Sequence, residues 1–104
     1  MLDKKAQVHA RLDSKQLAVL QTYVAKYNMS QELMIGKKID NLRLPKEKQV
    51  ARIIYRIEEE TTPTGWYVTP AQKVKLGRYA ELWGITKTEV IKRIIDGMAR
   101  ELGM

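Results

Sequence analysis

Polar and apolar residues alternate from Gln7 to Leu12, with Val8, Ala10 and Leu12 on one side and Gln7, His9 and Arg11 on the other. A period of two is the mark of a strand with one buried face. Asp13 follows as a helix N-cap, with Gln16 three residues on at capping-box spacing. Leu17, Leu20, Val24 and Tyr27 then recur at helical spacing, and Asn28 suits a left-handed C-terminal cap. Ser30 opens a second helix, whose stripe is Met34, Ile35, Ile39 and Leu42, interrupted by Lys38.

The same order returns 56 positions later. Six of 33 pairs between residues 10–42 and 66–98 are identical, but the boundary signals coincide more strikingly than the identities do. Trp66 and Val68 take the inward strand positions, leaving Gly65, Tyr67 and Thr69 outward. Thr69 caps a helix that starts at Pro70, and Gln72 completes the box. Leu76, Ala80 and Trp83 form its stripe, weakened by Lys73, and Gly84 ends it. Thr86-Lys87-Thr88-Glu89 reads as a full capping box for a last helix. Its stripe of Val90, Ile91, Ile94, Ile95, Met98 and Leu102 is the strongest in the chain. The aromatic residues Tyr23, Tyr27, Tyr79 and Trp83 fall on helix faces and are expected in the core.

Between the copies, Pro45 stops the preceding helix. Val50, Ile53, Ile54 and Ile57 share a helical face, while Ile53, Tyr55 and Ile57 also alternate as a strand would. A helix is the stronger expectation here. Glu58-Glu59-Glu60 leads on as a solvated linker. The organisation expected is a first unit over 6–44, a linker with a helix over 45–64, and a second unit over 65–104.

Composition narrows the chemistry. The 104 residues include no cysteine and one histidine, His9. That excludes disulfides, thiolate chemistry, a His-rich metal site and the His-activated nucleophiles. There is no Gly-rich phosphate loop, so neither an enzyme nor a cofactor is expected. No apolar run is long enough to span a bilayer and no secretory leader is visible, so a soluble cytoplasmic protein is expected. Nineteen basic against twelve acidic side chains leave a net charge of +7, which attracts polyanions. Residues 1–44 and 65–104 carry this excess, and residues 45–64 are neutral.

A strand of about six residues followed by two short helices resembles the ribbon-helix-helix superfamily of Arc-, MetJ- and CopG-like repressors. The resemblance is carried by Val8-His9-Ala10-Arg11-Leu12-Asp13-Ser14 and by Ala80-Glu81-Leu82-Trp83-Gly84-Ile85-Thr86-Lys87-Thr88-Glu89-Val90-Ile91. Two copies in one chain are similar to the TraY-type plasmid-transfer proteins. The fold class implied is mainly α with a short β-ribbon: tandem strand-helix-helix units joined by a linker helix.

The resemblance implies sequence-specific binding of double-stranded DNA. The protein would be a small transcriptional repressor or an accessory factor at a plasmid or viral origin, associated with the nucleoid. The ribbon would enter the major groove, with Gln7, His9, Arg11 and Tyr67 as base contacts. Met29, Ser30 and Gln31, with Ile85, Thr86 and Lys87, would hold phosphates at two helix starts. Lys37-Lys38 and Lys92-Arg93 are further phosphate candidates. One chain would supply an intact ribbon of unlike strands, with copies self-associating on neighbouring DNA sites. The alternative is an antitoxin whose first unit binds an operator and whose remainder binds a toxin.

Overall fold

The computed structural model describes residues 5–56 and 60–104. Six elements follow in the order β1 (Ala6–Leu12), α1 (Ser14–Tyr27), α2 (Gln31–Asp40), β2 (Thr62–Val68), α3 (Pro70–Trp83) and α4 (Lys87–Leu102). The strands pair with each other, antiparallel, from Ala6 opposite Val68 to Leu12 opposite Thr62.

This architecture corrects the expected fold class. Four helices and one two-stranded sheet replace tandem strand-helix-helix units joined by a helix. Neither half has a sheet of its own, because each strand takes its hydrogen bonds from the other half. No helix forms between residues 45 and 56. β-branched Val50, Ile53 and Ile54 are weak helix formers. Instead the segment is tied down through polar groups: the Gln49 N–H donates to the Leu82 carbonyl at 2.7 Å, and Arg93 Nη2 donates to the Arg52 carbonyl at 2.7 Å. Ile57, Glu58 and Glu59 of the expected linker lie outside the described residues. β2 starts at Thr62, inside the stretch expected as linker. Its Pro63 is tolerated because both strands of a two-stranded sheet are edges.

The helix boundaries follow from local chemistry. Asp13 and Thr69 each accept from the backbone of the N3 residue, and Gln16 and Gln72 reach back to the cap, closing both boxes. α1 and α3 end on left-handed residues, Asn28 (φ 52°) and Gly84 (φ 66°). The box expected at Thr86 closes on one side only. Thr86 accepts from the Glu89 N–H, but the Glu89 carboxylate turns to Arg56 at 2.8 Å.

The buried side chains come from every element. Val8, Leu12 and Trp66 project from the ribbon onto Leu20, Ile35, Ile39, Leu76, Ile91, Ile95 and Met98. Each such side chain contributes about 1.5–3 kcal/mol by leaving water. Trp66 is fully buried and its indole N–H donates to Gln31 Oε1 at 3.1 Å. On α1 the buried face is turned from the expected stripe. Val19, Leu20 and Tyr23 are inside, Leu17 and Val24 are half-buried, and Tyr27 is 46% exposed. Gln16, drawn in by its capping bond, and Tyr23, whose hydroxyl donates to Glu101 of α4, set that rotation.

Candidate nucleic-acid interface

One face of the ribbon covers the core and the other is open. Cross-strand partners share a face, so Gln7 with Tyr67, His9 with Gly65, and Arg11 with Pro63 form the open one. Gln7, His9, Arg11 and Tyr67, the four expected base contacts, are all exposed there. Gly65 makes room for two of them. A Cβ at that position would lie 3.0 Å from His9 Nδ1 and 3.1 Å from Gln7 Nε2, so both side chains lean across the glycine.

Arg11 is oriented by the start of the second half. Its Nε donates to Thr61 Oγ1 at 3.0 Å and one Nη2 hydrogen to the Thr61 carbonyl at 3.2 Å. Nη1 and the second Nη2 hydrogen remain, which is the pair a guanine edge accepts. Thr61 is a site residue that sequence reasoning missed. Its position opposite Arg11 depends on β2 starting at Thr62, and no local pattern marks that start.

A helix N-terminus flanks each end of the ribbon. Near Tyr67, an open hollow of about 690 Å³ is lined by Lys5, Ser30, Glu32, Lys37 and the start of α3. Near Arg11, a hollow of about 340 Å³ is lined by His9, Thr61, Thr88 and Lys92. Thr88 also donates from its hydroxyl to the His9 carbonyl at 3.4 Å, which ties the start of α4 to β1.

The six expected phosphate contacts divide. Met29 and Ile85 have N–H groups already bonded to the Val24 and Ala80 carbonyls, closing α1 and α3, which removes them as backbone donors. The Ser30 and Thr86 hydroxyls accept from Leu33 and Glu89 N–H groups. The Gln31 side chain holds Trp66. First-turn N–H groups at Gln31 and Glu32, and at Lys87 and Thr88, have no carbonyl one turn back within the helix. These are the groups that would meet an anion. The two ends differ in charge. Glu32 stands in the first turn of α2, whereas Lys87, its side chain over Gly77 of α3, opens α4, and the Glu89 of that turn is paired with Arg56 and Arg93.

Several other cations are engaged within the chain. Lys38 pairs with Glu101 at 3.0 Å and lies 4.9 Å from the centre of the Tyr23 ring. Burial opposes its charge, but the hydrogen bonds to Tyr23 and Glu101 outweigh this and raise its pKa. Arg93 is taken by Glu89 and the Arg52 carbonyl. Lys92 is buried and Lys37 exposed. Lys38 and Arg93 are therefore poor phosphate contacts.

No described group of His, Asp and Glu side chains could hold a metal ion, and no helix among the described residues is long and apolar enough to cross a membrane. Comparison with protein-family models, curated proteins and solved structures gives no match.

Proposed function

We propose that this chain is a non-enzymatic, sequence-specific double-stranded DNA-binding protein that reads the major groove with its ribbon, like the ribbon-helix-helix proteins it resembles. Its role would be that of a repressor or of an accessory protein at an origin. The observation that carries the reading is the open ribbon face, where Gln7, His9 and Arg11 stand in a row between two helix N-termini. Seven residues span roughly 23 Å at 3.3 Å each, and the ~12 Å groove admits a two-stranded ribbon. Gln suits adenine and Arg guanine by bidentate pairing. Glycine and proline on β2 contribute little reading, so the two strands are unequal and the preferred site is non-palindromic.

The test begins with selection of bound duplexes from a random pool, followed by titration of the selected duplex over a range of salt. With about 4–8 phosphates neutralised, log affinity should fall with log salt at a slope on the order of −4 to −7. Arg11→Ala should cost about 1–3 kcal/mol and flatten the preference at one base pair. An affinity indifferent to salt, or an unaltered sequence preference in Arg11→Ala, would overturn the reading.

A further inference from the structure

A third hollow, of about 400 Å³, shares no residue with the two at the ribbon ends. It forms where the end of α3 and one flank of α4 meet the chain that follows α2. Its apolar lining includes Leu42, Tyr79, Trp83 and Ile94. The Tyr79 and Trp83 ring centres lie 6.1 Å apart, the rings tilted by 42°. The Trp83 indole N–H is buried without an acceptor among the described residues, so ring carbon rather than the N–H lines the hollow. Among the described residues every charged side chain of the lining is a guanidinium: Arg52, Arg93 and Arg100. The same three line an adjoining hollow, which adds Asp96. That carboxylate is paired with Arg56 at 2.9 Å, and Arg93 shares Glu89 with Arg56. Arg52 and Arg100 are exposed, and their guanidiniums bond to no other described residue.

We propose that this hollow is a binding site for a small aromatic carboxylate. Charge fits that occupant. Guanidiniums gathered with too few carboxylates repel one another, and an anion relieves them. A carboxylate accepts the paired hydrogen bonds that a guanidinium fork presents. The walls fit the rest of the molecule. A planar apolar body covers Leu42 and Ile94 and packs offset or edge-on against the two rings. A nucleic-acid backbone would use the guanidiniums but would leave the apolar lining uncovered. The volume falls near the lower bound of the ~300–1,000 Å³ usual for ligand pockets, which suits one fused-ring body. The arginines at its rim are solvent-exposed, so affinity for so small a ligand is modest, with Kd on the order of 0.1–1 mM.

The test titrates the full chain with 2-naphthoate and follows the indole N–H signals by NMR. The chain has two tryptophans, and they report differently. Trp83 lines the hollow, whereas Trp66 is buried in the core and bonded to Gln31. Saturable binding should shift the Trp83 signal and leave that of Trp66 in place. 2-Naphthamide, which has the same body without the charge, should bind several-fold more weakly, and acetate, which has the charge without the body, should leave the Trp83 signal unmoved. The double variant Arg52→Gln, Arg100→Gln should keep the melting temperature of the wild type and bind 2-naphthoate about tenfold more weakly. Its affinity for 2-naphthamide should not change, which separates loss of charge recognition from damage to the hollow. The proposal is overturned by a Trp83 signal that stays still to ~5 mM 2-naphthoate. Equal affinities for 2-naphthoate and 2-naphthamide, or a double variant that binds 2-naphthoate as the wild type does, would overturn it too. So would displacement of bound 2-naphthoate by a DNA duplex, which would make the hollow a backbone contact.

Discussion

Replacing Arg56 by methionine removes a guanidinium that reaches both Glu89 (2.8 Å) and Asp96 (2.9 Å). The side chains involved are partly solvent-exposed. A hydrogen bond to a charged group contributes ~1.5–3 kcal/mol when well shielded, and solvent screening reduces it here. Two such contacts, less that discount, give about 1–3 kcal/mol. For a chain of this size that lowers the melting temperature by roughly 4–12 °C near neutral pH.

The pH dependence of the loss is the sharper part. Burial pushes the Glu89 pKa up, but the hydrogen bond from Arg56 outweighs it and leaves the carboxyl below its ordinary 4.5. A carboxylate depressed on folding stabilises above its ordinary pKa, and that contribution is lost as pH falls through the folded value. For Arg56 burial disfavours the charge, the bonds to Glu89 and Asp96 more than compensate, and its pKa is raised. A raised cation contributes fully below its ordinary value, so it does not change across the acid range. In Arg56→Met the Glu89 carboxylate keeps only the longer contact to Arg93 at 3.4 Å, so less of its charge is compensated and acid costs the variant less than the wild type. Thermal unfolding followed by circular dichroism should therefore show a gap between wild type and variant that is large at pH 7 and narrows towards pH 3. A gap under about 1 °C at pH 7, or one of equal size at both values, would refute the reasoning.

Other perturbations separate stability from binding. Trp66→Phe strands Gln31 Oε1 and should cost about 1–3 kcal/mol in urea unfolding. Gly65→Ala should leave stability equal or up to about 1 kcal/mol higher, since glycine is poor in strands, while displacing His9 and Gln7 and weakening DNA binding in titration. Lys87→Ala should weaken all duplexes alike and reduce the salt slope by about one.

Much of the local structure is legible because short-range chemistry specifies it. The caps at Asp13, Ser30, Thr69 and Thr86 and the stops at Asn28 and Gly84 each need only neighbours within four residues. Strand alternation likewise places Gln7, His9, Arg11 and Tyr67 on the open face. Where the outcome depends on a distant surface, the sequence is silent. Val50 to Tyr55 carries both helical and strand periods, and the structure takes neither, with the segment held by bonds from Gln49 to Leu82 and from Arg93 to Arg52. Glu89 has ideal spacing for a capping box, yet Arg56, 33 positions away, takes it. Met29 and Ile85 sit where phosphate contacts are expected, but closing the preceding helix uses their N–H groups.

The pairing of β1 with β2 also governs how the chain is made. Leu12 and Thr62 are the closest-spaced partners, fifty positions apart. Bringing such a loop together costs about 3–4 kcal/mol of chain entropy before any contact repays it. On a ribosome adding ~5–20 residues per second, Val8, Ala10 and Leu12 wait roughly 3–10 s for a mate. Cutting the chain between residues 45 and 56 would give two pieces that each lack a strand partner. They would refold at a rate that rises with the concentration of both, as a bimolecular reaction does.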